Sequence, residues 1–576
     1  MPRASFIFLQ FLPVLFCAQI RIHFHQLDSV INKAKIERFD QVKSWAESDQ
    51  YVRQTISSLR SKGYLLANVD SLYRDSLVSE VKVYFNAGKM YTWSCLKNSN
   101  VDLDAVVFSG YSERFFAGGI FNPNEYAKFM DKLVVYYENN GFPFAKIFLD
   151  SVQVDSTGTI KASLKVNRNK KIIIDSVIVF GDANVSKKFL KRYLELGENS
   201  LYNESVIRKI SPRLRLLSFL VETKPVMVKL TDRTNRLIIF ANKRNASQFD
   251  GIVGVLPGTT GKTVFTGDLK IKLINSVLKS GETLEINWRR LQTETQDLKT
   301  RIILPFLFNT PFGVEHNLKL YKRDSTFLDL NNAISANYFF SGLNNFKVVY
   351  KQRNTSVLSK SLYISSSNIL ELADIKSRNY GLGYFYESLD YKLNPRKGIS
   401  VSVNATAGTR VIKKNPNINE ELYSTIKQVS SQYQVESELI YFQPVFKKST
   451  LKVGFQASTI NSESIFRNEL FRIGGLKTLR GFDEESIFSS TYMIGTLEYR
   501  LLFEQNSCVF LFSDFCWYEK NETTGYLQDQ PLGVGAGINF ETKAGIFSLT
   551  YALGNQFNNG FDIRSGKIHF GVVNSF

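Results

Sequence analysis

Residues 496–503 read TLEYRLLF, and this stretch decides which kind of β-fold the chain adopts. Successive side chains of a strand point to opposite faces. Leu497, Tyr499, Leu501 and Phe503 therefore share one face, and Thr496, Glu498, Arg500 and Leu502 the other. The C-terminal run KIHFGVVNSF repeats the pattern. It places Ile568, Phe570, Val572 and Phe576 on one face, interrupted by Asn574, with Lys567, His569, Gly571 and Ser575 opposite. A soluble sandwich buries such an apolar face against a second sheet. An outer-membrane barrel turns it to lipid and keeps the polar face inside. From about residue 242 onward, alternating runs follow one another between polar turns, and helical periodicity is absent. At roughly twenty residues per strand and turn, segment 242–576 allows about sixteen strands, enough to enclose an aqueous lumen. GTRVIKKNPNINEELYSTIKQ (408–428) reads as a surface loop, and LNPRKG (393–398) as a short hairpin turn.

The remainder of the chain agrees with an exported barrel. Its 576 residues include 46 Phe and 27 Tyr against 13 Pro and 5 Met, a composition that favours strands. The net charge of +19 is spread out, with pairs such as Lys170-Lys171 and Lys187-Lys188 but no long basic run. That distribution argues against nucleic acid and suits a charged channel interior or anionic lipid head groups. The N-terminus, MPRASFIFLQFLPVLFCAQI, has one Arg, an apolar run from Phe6 to Phe16 and the small Ala18. It reads as a signal peptide over residues 1–18, too short to span a bilayer. Beyond it no stretch of about eighteen apolar residues occurs. Cys95, Cys508 and Cys516 are too few for a disulfide scaffold; Cys508 and Cys516 either pair or remain two thiols.

The first half mixes helices and strands. SDQYVRQTISSLRSKGY (48–64) reads as a helix with Ser48 as N-cap and Gly63 as stop, followed by two strand-like runs within 67–88. NPNEYAKFMDKLVVYYENNGF (122–142) reads likewise, with strands within 145–168. The spacing of about eighty residues marks a repeat. A third unit opens at Lys171 with a β-α-α-β-β pattern. The expected organisation is module 1 over 19–92, module 2 over 93–171, module 3 over 172–241 and a barrel over 242–576.

Four further features now carry a resemblance. LRGF (479–482) interrupts the strand pattern with an Arg between Leu and Gly-Phe. DYKLNPRKG (390–398) forms an Asp…Pro-Arg-Lys-Gly turn, FLFSDF (510–515) is a strand-like run with an Asp near its end, and the chain ends in Phe. With three α+β modules ahead of a barrel, the chain resembles the BamA/TamA superfamily of outer-membrane assembly proteins, whose modules are called POTRA domains. Three modules are closest in architecture to the TamA type. The two-partner secretion transporters carry two modules behind a plug helix and a Pro-rich linker; residues 19–47 hold no Pro.

The resemblance implies a cell outer membrane location in a Gram-negative bacterium, with the modules in the periplasm. It implies that Leu479, Arg480, Gly481 and Phe482 tip an extracellular loop folded into the lumen, where Arg480 meets Glu498 and Asp514. Partners would be unfolded outer-membrane protein clients, outer-membrane lipid, and a periplasmic or inner-membrane partner reached through the modules. Clients would add strands to module sheet edges. The barrel would open between its first strand, near Phe249–Val255, and its last, near Lys567–Phe576. Gly251, Gly254 and Gly571 remove side-chain packing there, and Phe576 closes the strand. No cofactor is expected. PGTTGKT (257–263) fails as a phosphate loop because Leu256 stands where Gly is needed. It reads as the first barrel hairpin. No His/Cys metal cluster and no nucleophile elbow is evident, so no enzyme is expected. The competing classes are a secretion pore for one dedicated substrate, a passive porin or receptor, and a soluble secreted β-protein.

Overall fold

The structure is a computed structural model that describes residues 20–28, 42–114, 116–197, 199–231, 233–257, 263–292, 295–323, 326–359, 370–416, 420–542, 545–557 and 559–573. The expected signal peptide, the tip of the hairpin at 258–262 and Phe576 lie outside these residues.

Three small sheets share one topology. In the first, Glu80–Asn86 is central, parallel to Arg21–Gln26 and antiparallel to Asn68–Asp75, with helix Trp45–Ser61 in the same module. This helix starts four residues earlier than expected. Ser44 is its cap: its hydroxyl accepts from Glu47 N at 3.2 Å, and the Glu47 carboxylate accepts from Lys43 N at 2.7 Å. The Ser44 cap, with Glu47 at S-x-x-E spacing reaching back to Lys43 N, governs the start, and Ser48 is buried inside the helix. In the second sheet Thr159–Asn167 is central, flanked by Thr92–Asn98 and Lys146–Val154. Helices Leu103–Ser109 and Pro123–Asn139 accompany it, and Asn122 caps the longer one just before Pro123. Leu96, Leu133, Tyr137 and Leu164 form its core.

The third sheet centres on Asn235–Lys243, between Ser176–Phe180 and Leu220–Leu230, with helices Lys187–Tyr193 and Glu204–Leu216. The third module and the large sheet that follows form one compact unit.

The large sheet is an antiparallel meander. Its strands are β1 Gln248–Pro257, β2 Thr263–Ile274, β3 Thr283–Gln292, β4 Thr295–Leu304, β5 Phe312–Arg323 and β6 Phe327–Ser341. Then come β7 Asn344–Val357, β8 Asp374–Leu389, β9 Gly398–Lys413, β10 Val429–Phe446 and β11 Ser449–Ser462. The last five are β12 Thr491–Leu502, β13 Cys508–Glu522, β14 Gly525–Thr542, β15 Gly545–Asn555 and β16 Lys567–Val573. β14 consists of two hydrogen-bonded segments, Gly525–Asp529 and Leu532–Thr542, both paired with β13. Pro531 between them has no N–H to donate, but its carbonyl accepts from Cys516 N at 2.9 Å. Seventeen segments thus make sixteen strands among the described residues.

Each strand joins its sequence neighbours, as short turns between antiparallel strands require. Among the described residues no ladder joins β1 to β16, although the two strands approach within 8 Å between Cα atoms. The outer face carries exposed apolar residues at alternate positions, for example Leu497, Tyr499 and Leu501 on β12 and Val509, Leu511 and Phe515 on β13. The segment 408–428 is not all loop, since β9 continues to Lys413. Gly408 and Arg410 take the lumen side and Thr409 the outer side of this strand end, which therefore has the polarity of a loop.

The third module contacts one end of the barrel. Ser186 N donates to Lys279 O (2.6 Å), and Asn275 Nδ2 to Asn184 O (2.9 Å). Arg213 donates to Ser341 Oγ (2.9 Å), and the Phe189 and Phe306 rings meet edge to face. These barrel residues lie in or beside turns that follow β2, β4 and β6. Turns after even-numbered strands therefore sit at the module end, and loops after odd-numbered strands at the far end.

Candidate functional site

The longest described connection after an odd strand runs from β11 to β12, residues 463–490. It is built as an element in its own right. Phe471–Ile473 pairs with Ile487–Ser489, and Gly474 and Gly475 take positive φ to turn the chain. Thr478 Oγ1 bonds both Gly474 N and Gly474 O at 2.9 Å, which tightens that turn. The tip is then presented inward at Leu479–Phe482.

Strand parity places Glu498 on β12 and Asp514 on β13 on the lumen face, beside this tip. Arg480 Nε and Nη2 grip Asp514 as a fork, both at 2.7 Å. Nη1 reaches Glu498 Oε2 at 2.6 Å, and Arg480 N adds a bond to Asp514 Oδ2 at 3.2 Å. All three side chains are buried. The planar guanidinium lies over the Phe512 ring, 3.5 Å from its centroid, a favourable placement for a partly desolvated cation. Thr496 Oγ1 completes the shell of Asp514 at 2.9 Å. One cation facing two carboxylates suits a buried site, because paired charges recover much of what desolvation costs.

Glycines let the backbones meet. Gly481 has φ +95°, and a Cβ there would stand 2.6 Å from the carbonyl of Leu553 on β15. Gly533 on β14 lies directly against Arg480 O, and Gly554 on β15 against Gly481 O. Leu479 and Phe482 join a buried cluster with Ile473, Ile487, Tyr492, Ile494, Cys516 and Tyr518.

A second anchor lies further along the wall, on β9, and the sequence reading missed it. Arg410 of β9 forks onto Glu469 of the loop, Nε to Oε1 at 2.8 Å and Nη2 to Oε2 at 2.6 Å, with both residues buried. Gln432 Nε2 and Phe466 N also donate to Glu469, at 3.2 and 3.1 Å. Arg353 of β7 forks onto Asp329 of β6 and donates to the carbonyls of Asn468 (2.7 Å) and Glu469 (3.0 Å). Between the anchors, Arg472 stacks over Tyr321 of β5, and Asp483 pairs with Lys567 of β16 at 2.8 Å. The loop thus contacts the wall from β5 to β16. A signal for the second anchor existed: Arg353 and Arg410 are charges at lumen parity within strands.

Of the expected seam residues, Gly251 lies on β1 opposite Leu269, Gly254 opposite Thr266, and Gly571 on β16 opposite Ser548. Cys508 and Cys516 do not pair. They share one face of β13 eight residues apart, roughly 27 Å along a strand, whereas a disulfide needs Cα atoms within about 7 Å. Among the described residues the three cysteines are free, and no group of His, Cys, Asp and Glu has a metal-binding arrangement.

Comparison with known proteins agrees with this architecture. No curated protein sequence matches the chain. Among solved structures, CdiB from Escherichia coli is similar over 92% of this chain and 97% of its own, at 14% identity and a TM-score of 0.51. CdiB from Acinetobacter baumannii aligns over 92% and 98%, at 12% identity and a TM-score of 0.49. BamA from Haemophilus ducreyi lacking POTRA domains 1–3 aligns over 84% and 98%, at 15% identity and a TM-score of 0.42. The first of these likenesses speaks to the fold alone. The model of the Omp85 superfamily domain matches residues 277–576, more than half of the chain and including the loop with both of its anchors. On that match the chain belongs to the Omp85 superfamily.

Proposed function

We propose that this protein is an outer-membrane factor that assembles, inserts or translocates other outer-membrane proteins, with its modules in the periplasm. The observation that carries the reading is the seam. Fifteen successive strand pairs are hydrogen-bonded, yet no ladder joins β1 to β16 among the described residues. An unpaired strand edge in lipid is costly because its N–H and C=O groups have no solvent. A client strand that pairs with such an edge relieves that cost, so the seam offers a template for inserting β-proteins. Gly251, Gly254 and Gly571 contribute no side chains to it.

The modules fit the upstream step. Each sheet has an antiparallel edge strand, Asn68–Asp75, Lys146–Val154 or Leu220–Leu230, paired on one side in its module. Main-chain pairing at such an edge asks little of client sequence. The loop fits a gatekeeping role. With Arg480 latched to Glu498 and Asp514 and Glu469 to Arg410, it occupies the lumen and directs traffic to the seam. A secretion pore for one dedicated substrate is the alternative; it requires the loop to vacate the lumen.

Quantitative outer-membrane proteomics after depletion tests the reading. Loss of many different barrels is expected of a general assembly factor. Loss of one or a few marks a dedicated assembly or secretion role. An unchanged outer membrane would overturn both.

A further inference from the structure

The hairpin turn between β8 and β9 is more than a connection. We propose that Asn394 in this turn is a positioning residue that controls, through Arg500, whether Arg480 keeps its place on Glu498. The inference rests on reading residues 479–482 as a lumen latch.

Glu498 is shared. Its Oε2 accepts from Arg480 Nη1 at 2.6 Å, and its Oε1 accepts from Arg500 Nε at 2.7 Å. Arg480 has its fork on Asp514 and only Nη1 for Glu498, so Arg500 is the guanidinium that can take both Glu498 oxygens, a two-point fork being the preferred geometry of Arg with a carboxylate. The fork that begins at Nε closes through Nη2, and Arg500 does not close it here: its Nη1 donates to Asn394 Oδ1 at 3.0 Å and fixes the tilt of the guanidinium plane. Asn394 is itself held. It is buried, and its Nδ2 donates to Gln505 O in the β12–β13 turn at 3.0 Å. The amide thus turns Arg500 so that only Nε faces Glu498, and the second oxygen is left for the latch. Without that amide, Arg500 is free to close its fork on Glu498 and displace Arg480.

The position of Asn394 gives this competition an input. It lies at the module end of the barrel, in a turn ordered by Asp390, whose Oδ1 accepts from Arg396 N (2.9 Å) and Lys397 N (3.1 Å). Asp390, Asn394 and Arg396 line a cavity of about 500 Å³ together with Leu220, Val221 and Glu222 of the third module's edge strand. A client strand or a module movement that shifts this turn withdraws Asn394 from Arg500. The latch then weakens at the other end of a chain of three hydrogen bonds. The edge strand and the lumen loop are coupled without touching.

A native thiol reports the outcome. Cys516 is buried in the cluster formed by Leu479 and Phe482, while Cys508 is buried in a separate cluster with Leu502, Phe510 and Phe512. Maleimide labelling of the full-length protein in detergent, read at each cysteine by peptide mass spectrometry, therefore separates loop unseating from global loosening. Heat-modifiable gel migration checks that each variant is folded. Arg480→Ala and Asn394→Leu are both expected to raise the Cys516 labelling rate at least tenfold with Cys508 unchanged. Asn394→Asp keeps an acceptor for Arg500 and is expected to stay within about threefold of the native rate. The double variant Asn394→Leu/Arg500→Met removes the competitor and is expected to return Cys516 to protection. Protection of Cys516 in Asn394→Leu, alongside exposure in Arg480→Ala, overturns the coupling and leaves the latch standing. A double variant as reactive as Asn394→Leu overturns the competition for Glu498. Protection in Arg480→Ala overturns the latch and the coupling together.

Discussion

Gly481 shows how little room the latch allows. Its φ of +95° disfavours any side chain, and a Cβ would stand 2.6 Å from the Leu553 carbonyl and 2.8 Å from Gly554 N. Those neighbours are backbone and have no rotamer by which to retreat. Gly560, with φ +76°, has open space around the place a Cβ would take, with no atom within 4 Å. The two glycines separate conformational cost from collision. Gly560→Ala should cost about 1–2 kcal/mol locally, the left-handed penalty alone. Gly481→Ala adds overpacking of about 1–3 kcal/mol and is expected to lift the tip off β14 and β15. Limited proteolysis checks this: new cleavage within 474–486 is expected for Gly481→Ala and not for Gly560→Ala. At this scale legibility was uneven. Alternation alone put Glu498 on the polar face, two residues from Thr496 and Arg500 in an unambiguous strand; that Asp514 faces inward came with the resemblance. That Arg480 reaches both was suggested only by the resemblance, since nothing in strand periodicity says where a loop folds. The shared use of Glu498 with Arg500 and Asn394 depends on side-chain geometry from three separate segments.

The loop 463–490 behaves as an element with two attachments, and the Arg410–Glu469 attachment is the more deeply buried. Glu469 also accepts from Gln432 and Phe466 N, so its loss strands three donors, one of them a buried cation. Breaking such a pair from one side costs about 3–5 kcal/mol, whereas replacing both partners by apolar residues costs far less. Arg410→Met and Glu469→Leu are each expected to lower the unfolding midpoint in detergent sharply, and the double variant to recover much of the loss. Thermal unfolding followed by gel mobility measures all three; strictly additive losses would show that the pair is not a unit. The sequence hid this anchor for a physical reason. Residues 408–413 form the end of β9, and Gly408 and Arg410 suit a roomy lumen as well as they suit a loop. A similar ambiguity hid the start of the first long helix. There the Ser44 cap, with Glu47 three residues on, precedes the apolar periodicity that suggested Ser48.

Across the whole molecule, the count of strands followed from length, because a barrel strand and its turn use a narrow range of residues. Closure did not follow from length, since it depends on whether two strands distant in sequence pair. β1 and β16 approach each other without a ladder among the described residues, while the lumen holds a loop fixed at two places along the wall, on β9 and on β12 and β13. Two routes for a client can therefore be distinguished by which obstacle matters. If clients leave through the seam, a disulfide between one cysteine introduced on β1 and one on β16 should block assembly, and reduction should restore it. Unseating the loop by Arg480→Ala should then impair the process without replacing the seam. If clients cross the lumen, the disulfide should leave assembly intact, because locking the wall does not narrow a pore. A cross-link from the loop to the wall should instead be the variant that stops transport. Measuring folded client barrels in cells carrying the oxidised lock decides between these routes. Intact assembly with the lock fully formed would sink the seam route and turn attention to the loop. The seam is the stronger expectation on energetic grounds: an unpaired edge facing lipid is driven toward a partner strand, whereas opening the lumen must break two buried ion-pair anchors at once.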